Sequence, residues 1–149
     1  MDLVLASARA DIRFSMEVFL REQPGVVVSG TATGSEGLLA LIESTCPALV
    51  ILDWNLPGRP AADLLAEVQS AARRPYIIVL GKDGATRKAA LRAGADAFAL
   101  RGDPPQYLLE AIQQARLQTK TAVEGQTLSS IRRTPADNPT STETKGDQV

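Results

Sequence analysis

The feature that most restricts the fold of this chain is a regular alternation of short apolar runs with amphipathic stretches. The runs occupy residues 3–6, 26–28, 49–52, 76–80 and 97–100. Apolar runs of this length are typical of strands that are buried on both faces of a parallel sheet. Between the runs, apolar residues recur with the period of an amphipathic helix. One such set is Ile12, Met16, Phe19 and Leu20. The pattern therefore predicts repeated βα units.

Five strands in alternation with five helices predict an α/β fold, a flavodoxin-like doubly wound parallel sheet of order 2-1-3-4-5 with helices on both faces. In such sheets, ligands bind in a crevice at the carboxyl ends of the central strands. The residues that follow these ends are Ser7, Ala8, Asp53, Gly81 and Arg101. We expect them to line the functional crevice.

Three local signals predict where helices begin and end. Thr33 is followed three residues later by Glu36, which is the spacing of a capping box at a helix N-terminus. Asp103 before Pro104 resembles an N-cap with proline in the first turn. Gly94 is suited to end the fourth helix, because glycine readily adopts the left-handed conformation found after a helix.

The composition changes at Lys120, after which the chain is rich in Thr, Ser, Pro, Asn and Gly and poor in periodic apolar residues. Such a sequence cannot bury enough apolar surface to offset the entropy of ordering it. We therefore expect one domain over residues 1–119, a disordered tail over residues 120–149, and no output module after the domain.

Composition also excludes several classes of protein. The chain contains no histidine, which rules out histidine-based acid–base catalysis, serine–histidine and cysteine–histidine nucleophiles, and most zinc sites. The formal net charge of -1 indicates no basic surface for nucleic acid. We therefore expect neither an enzyme nor a nucleic-acid partner.

Two further observations concern the compartment. No stretch is apolar over the length of a membrane span, and the N-terminal segment lacks the apolar core of a signal peptide. The single cysteine, Cys46, follows an apolar helical stretch, so we expect a buried and unreactive thiol. These features predict a cytoplasmic protein without a membrane partner.

Two segments carry a resemblance to a known family. LVILDWNLPG at 49–58 is an apolar strand that ends in one carboxylate and continues into a loop with proline and glycine, and LRAGADAFAL occupies 91–100. With these segments and the βα order, residues 1–119 resemble the response-regulator receiver domains of two-component signalling. The resemblance implies that Asp53 is the phosphoacceptor, which attacks a phosphohistidine or a small phosphodonor. It also implies that the backbone carbonyl of Asn55 is a ligand of Mg²⁺.

Four positions depart from the pattern of that family. Ser7 and Ala8 stand where an acidic pair normally helps to hold Mg²⁺, and Gly81 stands where a Ser or Thr bonds the phosphoryl oxygen. Arg101 replaces the lysine of the family, whereas Phe98 keeps the aromatic position that reports the state of the site. The resemblance therefore implies an atypical, degenerate receiver with weak Mg²⁺ binding, and we assign it neither a metal site nor catalytic residues.

The leading hypothesis is a stand-alone atypical receiver that acts through protein–protein contacts with a histidine kinase or a downstream signalling protein. Trp54, the only tryptophan, is expected to be exposed as part of a contact surface. A second hypothesis is a functional phosphorelay receiver that a cognate histidine kinase phosphorylates on Asp53. A third is the binding of a small ligand or nucleotide in the same crevice, although the glycine-rich segment 30–37 has neither the dinucleotide nor the P-loop spacing.

Overall fold

The computed structural model describes the backbone of residues 1–131 and the side chains of residues 1–118. Strands and helices alternate along this part of the chain, as the sequence predicts. The elements are β1 (Asp2–Ala6), α1 (Ala10–Arg21), β2 (Val27–Ala32), α2 (Ser35–Thr45), β3 (Leu49–Asp53), α3 (Ala61–Gln69), β4 (Tyr76–Gly81), α4 (Gly84–Arg92), β5 (Ala97–Leu100) and α5 (Pro105–Ile131).

The strands form one five-stranded sheet, which is parallel throughout and has the order β2-β1-β3-β4-β5. This order confirms the predicted doubly wound topology. Because all strands run the same way, the carboxyl ends of β1, β3, β4 and β5 lie at one edge of the sheet. Ser7, Asp53, Gly81 and Arg101 lie at these ends.

The strand residues are divided between two apolar cores, one on each face of the sheet. Val4 and Leu52 pack with Leu64 of α3 on one face, whereas Leu3 and Ile51 pack with the helices of the other face. The second core includes Leu20 of α1 together with Leu108 and Ile112 of α5. Since neighbouring strand residues point to opposite faces and both faces are covered, the central strands β1, β3 and β4 carry only apolar residues between their first residue and their carboxyl end.

β2 is longer than the apolar run that predicted it, because it continues to Ala32. It is an edge strand, paired only with β1, and its register shifts between Leu3 and Val4. An edge strand has one solvated flank, so it tolerates exposed residues such as Thr31. The glycine-rich segment 30–37 therefore begins inside a strand and leads into α2, rather than forming a phosphate-binding loop.

The predicted helix boundaries are partly correct. α2 begins at Ser35 with Gly34 as N-cap and no side-chain cap, so the capping box assigned to Thr33 and Glu36 is wrong. The loop extends one residue further because β2 runs to Ala32. α5 begins at Pro105, so the N-cap assigned to Asp103 with Pro104 as the first helical residue is wrong by one position. Gly94 follows the C-cap of α4 with φ +113, which confirms it as the stop of that helix.

α5 continues beyond the predicted domain boundary at residue 119 and ends at Ile131. Residues 120–131 of the predicted disordered tail are part of α5, and residues 132–149 lie outside the described residues, so the tail as a whole stays a prediction. The physical reason is that extending an existing helix needs no new nucleus, so a stretch without apolar periodicity can still continue one. By contact density the chain forms two units, Met1–Ala115 and Arg116–Val149. Within residues 1–131, no helix is both long and apolar enough to cross a membrane.

Cys46 is exposed, which contradicts the expectation of a buried thiol. The residue is the C-cap of α2 and has a left-handed backbone with φ 47. The last turn of α2 makes its final apolar contacts through Ile42, one turn earlier. Because the backbone at position 46 is left-handed and no longer helical, the side chain of Cys46 does not lie on the apolar face that the helical period predicted for it.

Candidate functional site

Asp53 is the last residue of β3 and is 3% exposed. The backbone on both sides of it is fixed, because the N–H of Trp54 donates to the carbonyl of Leu80 at 2.8 Å. The carbonyl of Asp53 itself accepts from the N–H of Leu56 at 3.1 Å, which closes the turn after the strand. The carboxylate is thereby held at the edge of the sheet where the strand ends meet.

Three donors surround this carboxylate. The Oδ1 atom of Asp53 accepts from the backbone N–H of Asn55 at 3.1 Å, and Oδ2 accepts from the hydroxyl of Ser7 at 3.3 Å. The Nη1 atom of Arg101 lies 3.9 Å from Oδ2, which is a long ion pair. The structure thus brings together Ser7, Asp53, Asn55 and Arg101, as the sequence predicts.

Ser7 is a fully buried polar residue at the end of β1. Its hydroxyl donates to Asp53 and accepts from the N–H of Arg9 at 3.2 Å, so both of its capacities are used. Its carbonyl accepts from Nη1 of Arg13 on α1 at 2.8 Å, a contact that the sequence reasoning missed. The signal available was a basic residue in the helix that follows β1. Ala8, in contrast, is exposed, and its side chain has no oxygen.

Gly81, the last residue of β4, lies directly against the ring of Phe98. A Cβ atom at position 81 would be 2.7 Å from both Cε1 and Cζ of Phe98 and 2.6 Å from Cγ2 of Thr86. Real Cβ atoms essentially never approach other atoms this closely. The space that a serine or threonine would need at this strand end is therefore already filled by Phe98 and Thr86.

Thr86 was also missed by the sequence reasoning, although Asp83 three residues earlier is a typical N-cap spacing. Asp83 is the N-cap of α4, and its Oδ1 accepts from the N–H and from the hydroxyl of Thr86, both at 2.8 Å. The hydrogen bond from the backbone N–H of Thr86 lowers the pKa of Asp83 most, and the bond from the Thr86 hydroxyl lowers it further. The hydroxyl of Thr86 is therefore committed to the cap.

Arg101 follows β5, and its backbone N–H donates to the carbonyl of Gly81 at 2.8 Å. Its side chain is 19% exposed. Within the described residues, its Nε atom is buried and has no hydrogen-bond partner. The guanidinium is therefore only partly satisfied, because its other recorded interaction is the 3.9 Å approach to Asp53.

Trp54 is half-buried and packs against the apolar core on the α2–α4 face, so the expectation of an exposed indole is wrong. A loop position after a strand end suggested exposure, but the backbone bond to Leu80 keeps this loop close to the sheet. The indole therefore lies next to Asp53 in the chain and is in contact with the core.

The oxygens around Asp53 do not fit the Mg²⁺ site that the resemblance implies. Mg²⁺ prefers near-octahedral oxygen coordination and is usually held by carboxylates. The contacts around Asp53 supply its own carboxylate and the hydroxyl of Ser7 as oxygens, whereas Asn55 contributes a backbone N–H and Arg101 a cation. In the part of the chain that the structure describes, no group of three or more Cys, Asp or Glu side chains could hold a metal ion.

Comparison with known proteins identifies a matching family. The family model of the response regulator receiver domain matches residues 5–113. The nitrate/nitrite response regulator NarL of Escherichia coli K12 is 29% identical over 106 residues, which cover 70% of this chain and 49% of NarL. The probable transcriptional regulatory protein SgaR of Hyphomicrobium methylovorum is 30% identical over 103 residues, covering 68% of this chain and 49% of SgaR. The chain therefore spans about half the length of the curated relatives it matches.

Solved structures show the same fold. The isolated receiver domain of RcsB from Salmonella enterica serovar Typhimurium, determined with the phosphomimetic BeF3⁻, has a TM-score of 0.70 and 22% identity. The match covers 80% of this chain and 88% of that domain. The response regulatory domain of mrkE from Klebsiella pneumoniae has a TM-score of 0.73 and 12% identity, covering 81% of this chain and 99% of that one.

Proposed function

The chain belongs to the response regulator receiver domain family, and we propose that this receiver acts mainly through protein–protein contacts, with Mg²⁺-dependent phosphorylation of Asp53 weakened or lost. The observation that supports this proposal most is the surroundings of Asp53. The buried carboxylate is bonded by Ser7 and Asn55 and faces Arg101, while Ser7 and Ala8 replace the acidic pair. Receiver domains of this family act in two-component signalling.

Asp53 lacks most of the groups that would assist the transfer of a phosphoryl group to its carboxylate. Both the carboxylate of Asp53 and a phosphodonor are anionic, so the reaction depends on cations and donors placed around the transferring oxygens. Without the acidic pair, Arg101 is the cation that faces Asp53. One guanidinium at 3.9 Å does not replace a divalent ion that bridges nucleophile and phosphoryl group. Slow or absent phosphorylation follows.

The carboxyl end of β4 also lacks a hydroxyl that could respond to phosphorylation of Asp53. Gly81 has no hydroxyl to bond a phosphoryl oxygen, and the ring of Phe98 already fills the space beside it. The hydroxyl of Thr86 is bonded to Asp83. A phosphoryl group on Asp53 would therefore lack the side chain that pulls α4 and Phe98 towards it. We propose that the orientation of Phe98 does not depend on phosphorylation.

The proposed contact surface is formed by α4, β5 and α5, as the resemblance implies. Exposed apolar side chains on this surface are Leu91, Leu100 and Tyr107. A shallow cavity of about 450 Å³ is lined by Leu100 and Tyr107 together with Phe98 and Glu110, among others. We propose a cytoplasmic protein as partner, either a histidine kinase or a downstream signalling protein. We propose no enzymatic activity and no nucleic-acid contact for this domain, in keeping with its net charge of -1.

The second candidate is a functional phosphorelay receiver. It is favoured by the position of Asp53 at the carboxyl end of β3 and by the retained positive charge at Arg101. A kinase that supplies part of the missing electrostatics in its own active site would make this function possible. The two candidates differ in one property, which is whether the isolated domain binds Mg²⁺ and a phosphoryl mimic at Asp53.

The test follows the fluorescence of Trp54, the only tryptophan, while MgCl2 and then beryllofluoride are added. We expect no saturable change at millimolar Mg²⁺, and none on adding beryllofluoride. Intact-mass measurement after incubation with acetyl phosphate should show less than stoichiometric modification. A receiver that retains the acidic pair serves as positive control for the reagents.

The control variant is Asp53→Asn, which keeps the shape of the side chain and removes the charge. If the wild type gives a saturable response that Asp53→Asn loses, the site binds metal and phosphate, and the phosphorelay candidate replaces the first. A response that persists in Asp53→Asn arises elsewhere on the domain and leaves the proposal intact.

A further inference from the structure

A second site is indicated by a cavity of about 320 Å³ between α1 and the connection from β5 to α5. Most of its wall is apolar, with Ile12 and Met16 on α1, Ala99 on β5 and Leu108 on α5. A cavity of this size and character is typical of sites that bind small molecules. Neither Asp53 nor Ser7 lines it, so it is separate from the phosphoacceptor crevice.

The polar group that distinguishes this cavity is Arg101, which lines it. Its Nε atom is buried and, within the described residues, has no hydrogen-bond acceptor. A buried donor on a charged group without an acceptor is unfavourable, so a turn of the side chain that brings the guanidinium N–H groups to an acceptor in the cavity is favoured. Its pairing with Asp53 is long, at 3.9 Å, and does not use Nε.

The other charges at the cavity restrict the ligand further. Asp11 and Asp103 also line it. Asp11 pairs with Arg9 at 3.2 Å, and both side chains are exposed. Two carboxylates near the opening repel a ligand with several negative charges, such as a nucleoside polyphosphate. A single anionic group that reaches Arg101 suits this distribution best.

We propose that the cavity binds an amphipathic small molecule with one carboxylate and an apolar body. The apolar body lies against Met16, Ala99 and Leu108, and the carboxylate pairs with the guanidinium of Arg101, whose side chain turns to present its N–H groups to the cavity. This site goes beyond the proposed signalling function and does not rest on it, because binding here requires neither phosphorylation of Asp53 nor its loss.

The position of Arg101 gives the ligand a route to the signalling site. The same guanidinium faces Oδ2 of Asp53 on one side and lines the cavity on the other. A carboxylate in the cavity competes for this cation, and the long pair with Asp53 is the weaker of its interactions. Occupation of the cavity should therefore alter the surroundings of Asp53 and of the adjacent Trp54.

The experiment is an NMR titration of the ¹⁵N-labelled full chain with three matched probes: 3-phenylpropionate, 3-phenylpropanamide and 3-phenylpropylamine. The carboxylate should give saturable shifts of the amides of Ala99 and Gly102, which line the cavity, and of the Trp54 indole. The amide and the amine should bind at least about tenfold more weakly, because neither supplies an anionic acceptor. Equal binding of all three probes, stronger binding of the amine, or no saturable binding of the carboxylate would overturn the proposal.

Variants separate the anchor from the cavity. Arg101→Lys keeps the charge but removes the planar guanidinium and its several N–H donors, and we expect a loss of about tenfold or more in affinity for 3-phenylpropionate. Ser15→Phe places a ring from the exposed face of α1 into the cavity and should abolish binding without disturbing the core. Ser44→Phe, an exposed position on α2, is the control and should bind as the wild type does. Unchanged affinity in both Arg101→Lys and Ser15→Phe would refute the assigned site.

Discussion

At the scale of single residues, the site depends on which groups face one buried carboxylate. Asp53 is 3% exposed and has two hydrogen bonds, so it is accommodated without a metal ion. Ser7 is the residue that makes this possible, since its hydroxyl replaces a carboxylate that would repel Asp53. The identity of the strand-end residues could be predicted from the sequence. Their hydrogen bonds could not, because the hydroxyl of Ser7 has several possible partners until the strands are paired.

Restoring the acidic pair tests this interpretation. Ser7→Asp with Ala8→Asp should lower the free energy of unfolding without Mg²⁺ by about 1–3 kcal/mol or more, because a second carboxylate is buried beside Asp53. MgCl2 should then stabilise the double variant, by about 1.4 kcal/mol at ten times its Kd. Urea unfolding with and without MgCl2 measures both effects.

The matched control is Ser7→Asn with Ala8→Asn, which has the same shape without the charge and should not respond to MgCl2. The wild type should not respond either. Equal stabilisation of wild type and Asp variant by MgCl2 would show that the native residues already bind the ion.

Gly81 provides a second prediction at this scale. Gly81→Ser should destabilise the domain by about 1–3 kcal/mol, because its Cβ would overlap the ring of Phe98 and the methyl of Thr86. Phe98→Leu removes the ring atoms involved, so the double variant should recover part of the loss, with a coupling of about 0.5–3 kcal/mol. Chemical unfolding of the four proteins in the cycle gives the coupling.

A suitable control is Gly84→Ser, since a Cβ atom there meets nothing within 4 Å. We expect it to change stability by less than about 0.5 kcal/mol. Strict additivity of Gly81→Ser and Phe98→Leu would mean that the ring does not occupy the space beside position 81.

At the scale of elements, the sequence predicts the strands that a run of apolar residues marks. It does not predict the features that depend on how the backbone turns in the folded chain. Strands β1, β3 and β4 follow from their apolar runs, because burial on both faces leaves a clear signal. β5 is an edge strand of four residues, and its apolar run 97–100 covers all of it. β2 was underestimated because an edge strand alternates instead, with Val28 and Ala32 buried and Thr31 exposed. The exposure of Cys46 and the burial of Trp54 depend on backbone turns that residue type does not determine.

The N-terminus of α4 gives a prediction with a defined pH dependence. The N–H and hydroxyl of Thr86 lower the pKa of Asp83 from its ordinary value of 3.8. A carboxyl whose pKa is lower when folded stabilises the fold above its unfolded pKa and loses this contribution as the pH falls through the folded pKa. The stability advantage of wild type over Asp83→Ala should therefore be constant above about pH 5 and shrink below about pH 4.

Asp83→Asn separates the cap from the charge, because asparagine caps a helix without titrating in this range. Its advantage over Asp83→Ala should not change with pH over the same interval. Urea unfolding between pH 2.5 and 6 provides the measurement. An advantage of the wild type that grows as the pH falls would contradict the role of the carboxylate as cap.

At the scale of the whole molecule, the question is how much of the chain the receiver fold requires. The unit Met1–Ala115 contains every strand of the sheet and, among the side chains described up to residue 118, the buried residues of α5, namely Leu108, Ile112 and Ala115. The matched family model ends at residue 113, close to the end of this unit. The sequence placed the boundary at residue 119 from composition alone, which is near the end of the buried face although the helix itself continues to Ile131.

A chain that ends at residue 119 should therefore fold and keep a midpoint of thermal unfolding within a few degrees of the full chain, since it retains Leu108, Ile112 and Ala115, the buried residues of α5 among the side chains described. A chain that ends at residue 110 loses Ile112 and Ala115, and should be destabilised by at least about 2–5 kcal/mol, as expected for deleting a large buried side chain. Thermal unfolding followed by circular dichroism compares the three chains. If the chain ending at 119 lost as much stability as the one ending at 110, residues beyond 119 would belong to the folding unit, and the boundary drawn from composition would have to move.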